Sequence, residues 1–154
     1  MPNHAYDDLF DAWGVALNVD AQLAKTVFHM ESSGGRDTHK SLPNDPDSPI
    51  GPMQMRPSTA RGMAKEMGIE GPIDMQDMRF MVPLAMGYLG NGLTATQSPD
   101  GALAYYYSGS ADKAAWGPKT QAYVEKGQKL YPQMALTPAK PQPTQIAAAE
   151  PEQQ

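Results

Sequence analysis

The chain has 154 residues, 40% of them hydrophobic, which is enough for one globular core, and it carries a net charge of −5 with a pI of about 5.0. Its 12 Lys and Arg residues are scattered, so the basic patch that a nucleic-acid partner requires is missing. Cysteine is absent, which excludes a disulfide scaffold, a thiolate zinc site and a thiol nucleophile.

The opening stretch "MPNHAYDDLFDAWG" is acidic and polar, with neither a basic leader nor an apolar segment, so no secretory signal is expected there. No apolar run reaches the roughly 18 residues that span a bilayer, so no membrane insertion is expected. A first helix is predicted from Asp7 to Trp13, stopped by Gly14. A second starts after the N-cap Asp20 and sets Leu23, Ala24, Val27, Phe28 and Glu31 along one side at helical spacing. Gly34 and Gly35 supply the left-handed conformation that closes it. Residues 36–56 read as a long loop, with Pro, Asn, Asp and Ser throughout; loops of this length inside a domain are mostly functional.

Ser58 is the predicted cap of a helix running to Met67, stopped by Gly68. Asp74 opens a longer one through Leu89, kinked or divided at Pro83. Ser98 caps the next, with Pro99 at its first position. The last helix runs from Pro118 to Tyr131 and stops at Pro132. Alternating Val, Ile and Thr runs are missing, so the expected class is all-α. The eleven methionines are expected mostly as flexible fillers of a helical core. His4, His29 and His39 show no ligand spacing with carboxylates, so neither a metal nor another cofactor is expected. The expected domain is residues 1–136. Residues 137–154, rich in Pro, Ala and Gln, are expected to form a disordered tail or linker.

Glu31 is the unusual residue of this layout. It extends an apolar stripe and stands where its helix ends. Partial burial disfavours its charged form, and the negative end of the helix dipole does the same. A carboxyl that keeps its proton near neutral pH can protonate a poor leaving group. An exposed Glu on a frayed turn is the plainer alternative.

Four stretches in one order weigh against that alternative: "ESSGG" at 31–35, "SPIGPMQMRPSTARGMA" at 48–64, "MGYLGNGL" at 86–93 and "LAYYYSG" at 103–109. Over residues 20–131 the chain resembles the soluble lytic transglycosylases, goose-lysozyme-like enzymes that cut bacterial peptidoglycan. The resemblance implies a lysozyme-like helical domain whose long irregular loops surround a glycan cleft. It makes Glu31 the catalytic acid/base and Ser48 the serine that orients the substrate's N-acetyl group. Met53 and Gln54 match the pair that lines the sugar cleft, and Tyr106 and Tyr123 match tyrosines of the site. Tyr106 is expected to reach the acid through its phenol, and Tyr105 to be core. Trp13 and Trp116 read as core or rim residues, with Trp116 able to flank the groove.

Three departures accompany the match. The stretch from Ser48 to Gln54 is shorter than the family's, so that Gly51 serves two glycine motifs. Tyr107, a further candidate for substrate binding, stands where the family has Asn, and Lys119 where a Glu is frequent.

The implied activity is cleavage of the MurNAc-GlcNAc β-1,4 bond with formation of 1,6-anhydro-MurNAc, and the implied partner is the glycan strand. No second carboxylate is then needed. Asp37, Asp45 and Asp47 of the long loop read as turn formers. The alternatives are a goose-type hydrolase that admits water, and a catalytically silent wall-binding or virion structural module. Because no secretory signal is expected, the anticipated setting is a phage protein, packed in a virion or released from the host cytoplasm, with the tail as a linker into a larger particle protein or a docking peptide for other virion proteins.

Overall fold

The computed structural model describes residues 2–38 and 44–135. Six helices form the body: α1 (Asp7–Leu17), α2 (Ala21–Ser32), α3 (Pro57–Met67), α4 (Met78–Thr96), α5 (Pro99–Ser108) and α6 (Pro118–Leu130), with 3-10 turns at Lys113–Ala115 and Tyr131–Met134. Among the described residues the β-structure is one isolated antiparallel bridge, Ile50 with Met55. The fold is all-α, as expected. His39 and the tail from 137 onward lie outside the described residues.

α4 is the centre. It is buried around most of its circumference, through Met81, Val82, Leu84, Ala85, Met86 and Leu89, as a helix enclosed by others must be. α5, α1 and α3 pack on it, and α6 closes over α5 and α2. Enclosure explains why α4 is one helix through Pro83 to Thr96, where an end at Leu89 and a kink or division at Pro83 were expected; the helix is not divided. Proline in a helix interior costs about 3 kcal/mol, which burial of its neighbours on several sides offsets. Seven of the eleven methionines, Met53, Met55, Met63, Met78, Met81, Met86 and Met134, are buried, in line with their expected filling role.

Other boundaries moved for local reasons. α1 passes through Gly14 and ends with Asn18 in the left-handed conformation. Gly14 is needed for proximity: a Cβ there would sit 2.9 Å from the Val19 carbonyl oxygen and 3.2 Å from Ala21 Cβ, where the chain folds back into α2. α3 starts at Pro57, so Ser58 lies inside its first turn, and Asp47 from the preceding loop caps it by accepting from the Ser58 amide at 2.7 Å. α4 is capped by Asp77, while Asp74 shapes the turn before it. Asp20, Gly68, Ser98 and Pro99 play their predicted parts. α6 ends at Leu130, and Tyr131 continues into the closing 3-10 turn.

Two clasps hold α2. On one side its buried Lys25 donates to Asp11 at 2.9 Å and lies 3.8 Å from buried Asp7, which pairs with His4; a buried ammonium needs such partners. On the other, Tyr131 donates its hydroxyl to Asp20 at 2.6 Å, and its carbonyl accepts from Gln22 at 2.7 Å. The helix that carries Glu31 is thereby fixed from both ends of the chain.

Candidate active site

The apolar stripe of α2 sinks Val27 and Phe28 completely, with the Phe28 ring against Phe10 at 5.6 Å. One turn later the same stripe presents Glu31. The helix then stops: Ser33 takes the left-handed conformation at φ 54°, and Gly34 and Gly35 continue the reversal. The left-handed closure is thus in place one residue before the predicted glycines. The buried Ser32 hydroxyl donates to the Phe28 carbonyl and accepts from the Gly35 amide at 2.9 Å, locking the turn.

Glu31 opens onto a cleft of about 330 Å³ lined by Pro49, Gln54, Met55, Arg56, Thr59, Tyr88, Tyr106, Tyr107, Ser108 and Gly109. Four helices and the 49–56 loop contribute to it. Glu31 Oε2 accepts from the Tyr123 hydroxyl at 2.7 Å. Burial pushes the Glu31 carboxyl up to about 7, while the Tyr123 hydroxyl and the Lys126 ammonium act in the opposite direction. Burial also holds the phenols of Tyr123 and Tyr106 well above their ordinary range, with the Glu31 charge adding to it. Tyr123 therefore stays a donor through neutral pH.

The tyrosines divide their work. Tyr123 reaches the acid, and its ring stacks on Tyr107 with centroids 4.8 Å apart and planes at 31°. Tyr107 is 45% exposed, the most open aromatic of the cleft. Tyr106 is buried and donates to the Met53 carbonyl at 2.7 Å, so the expected phenol contact to the acid comes from Tyr123 and not from Tyr106. Tyr105 packs on Tyr88 at 4.8 Å and is only partly buried, short of the core position expected.

The loop turns on Gly51, at φ 84°, where a Cβ would meet the Met75 carbonyl oxygen at 2.0 Å. Its own carbonyl accepts from the Gln54 amide at 3.0 Å and from Gln54 Nε2 at 2.8 Å. Gln54 pays a backbone cost at φ 49° and faces the cleft.

Of the predicted site residues, Glu31, Gln54, Tyr106 and Tyr107 line one cleft, and Tyr123 stands behind the acid. Ser48 and Met53 do not line it. Both are buried, Ser48 by the tight turn in which its amide donates to the Asp45 carbonyl, and Met53 as core with its carbonyl anchoring Tyr106. Asp47 caps α3 and Asp45 caps the turn before it, so these aspartates are turn formers, as read. Among the described residues Glu31 is the one carboxylate lining the cleft. Trp116 belongs elsewhere: it lines a separate groove between α5 and α6 and donates its indole N–H to the Ser110 carbonyl at 2.8 Å. Sequence reasoning missed Arg56, Thr59 and Tyr88. Tyr88 lay inside the "MGYLGNGL" block, and Arg56 and Thr59 inside the quoted stretch 48–64, so membership of the quoted motifs was the available signal.

No curated protein and no solved structure matches the chain. The family model described as "Transglycosylase SLT domain" matches residues 8–128. That span runs from the first turn of α1 into α6 and takes in every helix that lines the cleft. By that match the chain belongs to the soluble lytic transglycosylases, a family of peptidoglycan-cleaving enzymes.

Proposed function

We propose that this chain cuts the β-1,4 bond between MurNAc and GlcNAc in the cleft, with Glu31 as acid and then base, and closes a 1,6-anhydro ring. The observation that carries the reading is Glu31 itself: a half-buried carboxyl, able to hold a proton near neutral pH, that faces an open cleft.

In the first step the Glu31 proton moves to the bridging oxygen, the bond from that oxygen to C1 of MurNAc breaks, and GlcNAc leaves with a 4-hydroxyl. The acetamide oxygen of MurNAc attacks C1 and forms an oxazolinium ring. In the second step the C6 hydroxyl attacks C1, the oxazolinium opens back to the acetamide, and the hydroxyl proton passes to the Glu31 carboxylate. Glu31 ends protonated, and no water is consumed. Enzymes of the two-carboxylate type hold their second group about 5 to 9.5 Å from the acid, and the described cleft wall offers none. The reaction as written needs none.

The Tyr123 hydroxyl steadies the carboxylate formed after the first step. Gln54 and Tyr107 are the groups on the wall able to hold the sugar's acetamide and hydroxyls, and Ser48 acts by shaping the turn beside Pro49. The test is the mass of muropeptides released from purified sacculi. Anhydro ends, one water lighter than reducing ends, are the expected product; reducing ends would mean a hydrolase, and no release at all a silent wall-binding module.

A further inference from the structure

We infer that the rim of the cleft holds a carboxylate-binding subsite, built on Arg56 and Thr59, that takes an anionic group of the substrate. The inference rests on the reading above that a peptidoglycan strand enters this cleft, and it names the part of the strand that the far wall selects.

Arg56 is the one cationic side chain among the described residues lining the cleft. Its backbone is well fixed: Met55 before it bridges Ile50, Pro57 follows it, and Arg56 itself is the extended N-cap of α3. One nitrogen of the guanidinium, Nη1, donates to the Asp47 carbonyl at 3.0 Å and reaches the Asp45 carboxylate at 3.5 Å. Nε and Nη2 have no protein partner among the described residues. The fork is thus anchored by one prong, and its other donors are unused among the described residues.

The competing acids are weak rivals. Arg56 and Asp45 are 51% and 47% exposed at a long separation, a pairing that contributes little. The Asp47 carboxylate is engaged by the amide and hydroxyl of Ser58. Thr59, in the first turn of α3, lines the same wall, and its hydroxyl has no protein partner among the described residues. The guanidinium and the Thr59 hydroxyl line the same cleft, and both can donate to an anion.

A planar fork with free donors suits a carboxylate better than a sugar hydroxyl. The cation that acts on Glu31 is Lys126, whereas Arg56 acts on Tyr88 and Asp47. Peptidoglycan offers carboxylates from two sources, the stem peptide and, where the stem has been removed, the lactyl group of MurNAc. In a protein of net charge −5 this is the local attraction for either.

The experiment compares kcat/KM of wild type and Arg56→Gln on three forms of one glycan. These are intact sacculi, amidase-stripped strands that keep only the lactyl carboxylate, and strands whose carboxylates have all been converted to amides. The expected loss on intact sacculi is roughly tenfold or more. On the fully amidated strands wild type should fall to the level of the variant. A loss on intact sacculi, where the lactyl carboxyl is tied up in an amide, identifies the stem; a loss confined to stripped strands identifies the lactyl carboxylate. Arg56→Lys should recover only part of the difference, because it keeps the charge and loses the fork. An equal loss on amidated strands would overturn the subsite, since it would mean that Arg56 serves only the loop. If wild type cleaves none of the three, the proposed function fails, and co-sedimentation with intact and amidated sacculi still reads the subsite by the same comparison.

Discussion

The Tyr123 hydroxyl meets Glu31 Oε2 at 2.7 Å across 92 residues of sequence, joining α6 to the end of α2. Burial and this hydrogen bond act on the carboxyl in opposite directions, and burial prevails. The bond therefore moderates the acid and holds its direction at once.

Tyr123→Phe removes the donor and keeps the ring that stacks on Tyr107. Without the donor the charged form of Glu31 is less favoured, so the basic limb of the pH profile of kcat/KM should move to higher pH. The maximal rate should fall roughly ten- to a hundredfold, because a hydrogen bond to a charged group contributes about 1.5–3 kcal/mol. A drop in rate with the limb unmoved would mean that the hydroxyl serves packing alone.

The raised Glu31 value has a consequence for stability. Its carboxyl ionises near 4.5 when unfolded and near about 7 when folded. Between those values the folded protein holds more protons than the unfolded chain, so stability falls as pH rises through this window. It is greatest below 4.5, and the loss is complete above about 7. Glu31→Gln removes that ionisation. The variant should gain on wild type as pH rises, by up to about 3 kcal/mol at pH 8. Urea midpoints at acid and alkaline pH measure it; a constant difference between the two proteins would contradict the raised value.

His29 is held as a neutral ring two residues before the acid. Its Nδ1–H donates to the Lys25 carbonyl at 2.9 Å, and Nε2 accepts from the Asn3 amide at 2.8 Å, with Asn3 also bound to the Gly34 carbonyl. Burial lowers the ring's value below 6.5, and the charges of Arg36 and His4 add to this against Asp7 and the Lys25 carbonyl. The stabilisation is full above 6.5 and is lost as pH falls from there through the depressed folded value. NMR should give a ring titration midpoint below 6.5, with the Asn3 amide resonance moving at the same midpoint. A midpoint at or above 6.5 would show that the clasp does not exclude the proton.

Local signals were the legible ones. Asp20, Gly68 and the Ser98-Pro99 pair act within a turn of the backbone, and each stands where its chemistry indicates. The signals that failed depend on distant chain. Gly14 serves the approach of Val19 rather than a helix stop, Pro83 is tolerated because its surroundings are buried, and Ser58 is capped by Asp47 from the loop. The site shows the same division. Glu31 was readable from its place at the end of an apolar stripe, and Gln54 from its motif. That Tyr123 rather than Tyr106 would meet the acid was not, because the choice depends on how α5 and α6 settle over α2. The inward turn of Ser48 and the outward reach of Arg56 follow from a loop whose shape no periodicity encodes.

The most direct measurement digests purified sacculi with wild type and with Glu31→Gln and weighs the released muropeptides. General acid-base catalysis contributes about 10²–10⁴-fold, so the variant should release anhydro-ended fragments at least about 10²-fold more slowly. Its fold can be confirmed by an unchanged circular dichroism spectrum. Equal release by the folded variant would contradict the assignment of Glu31 as the proton donor.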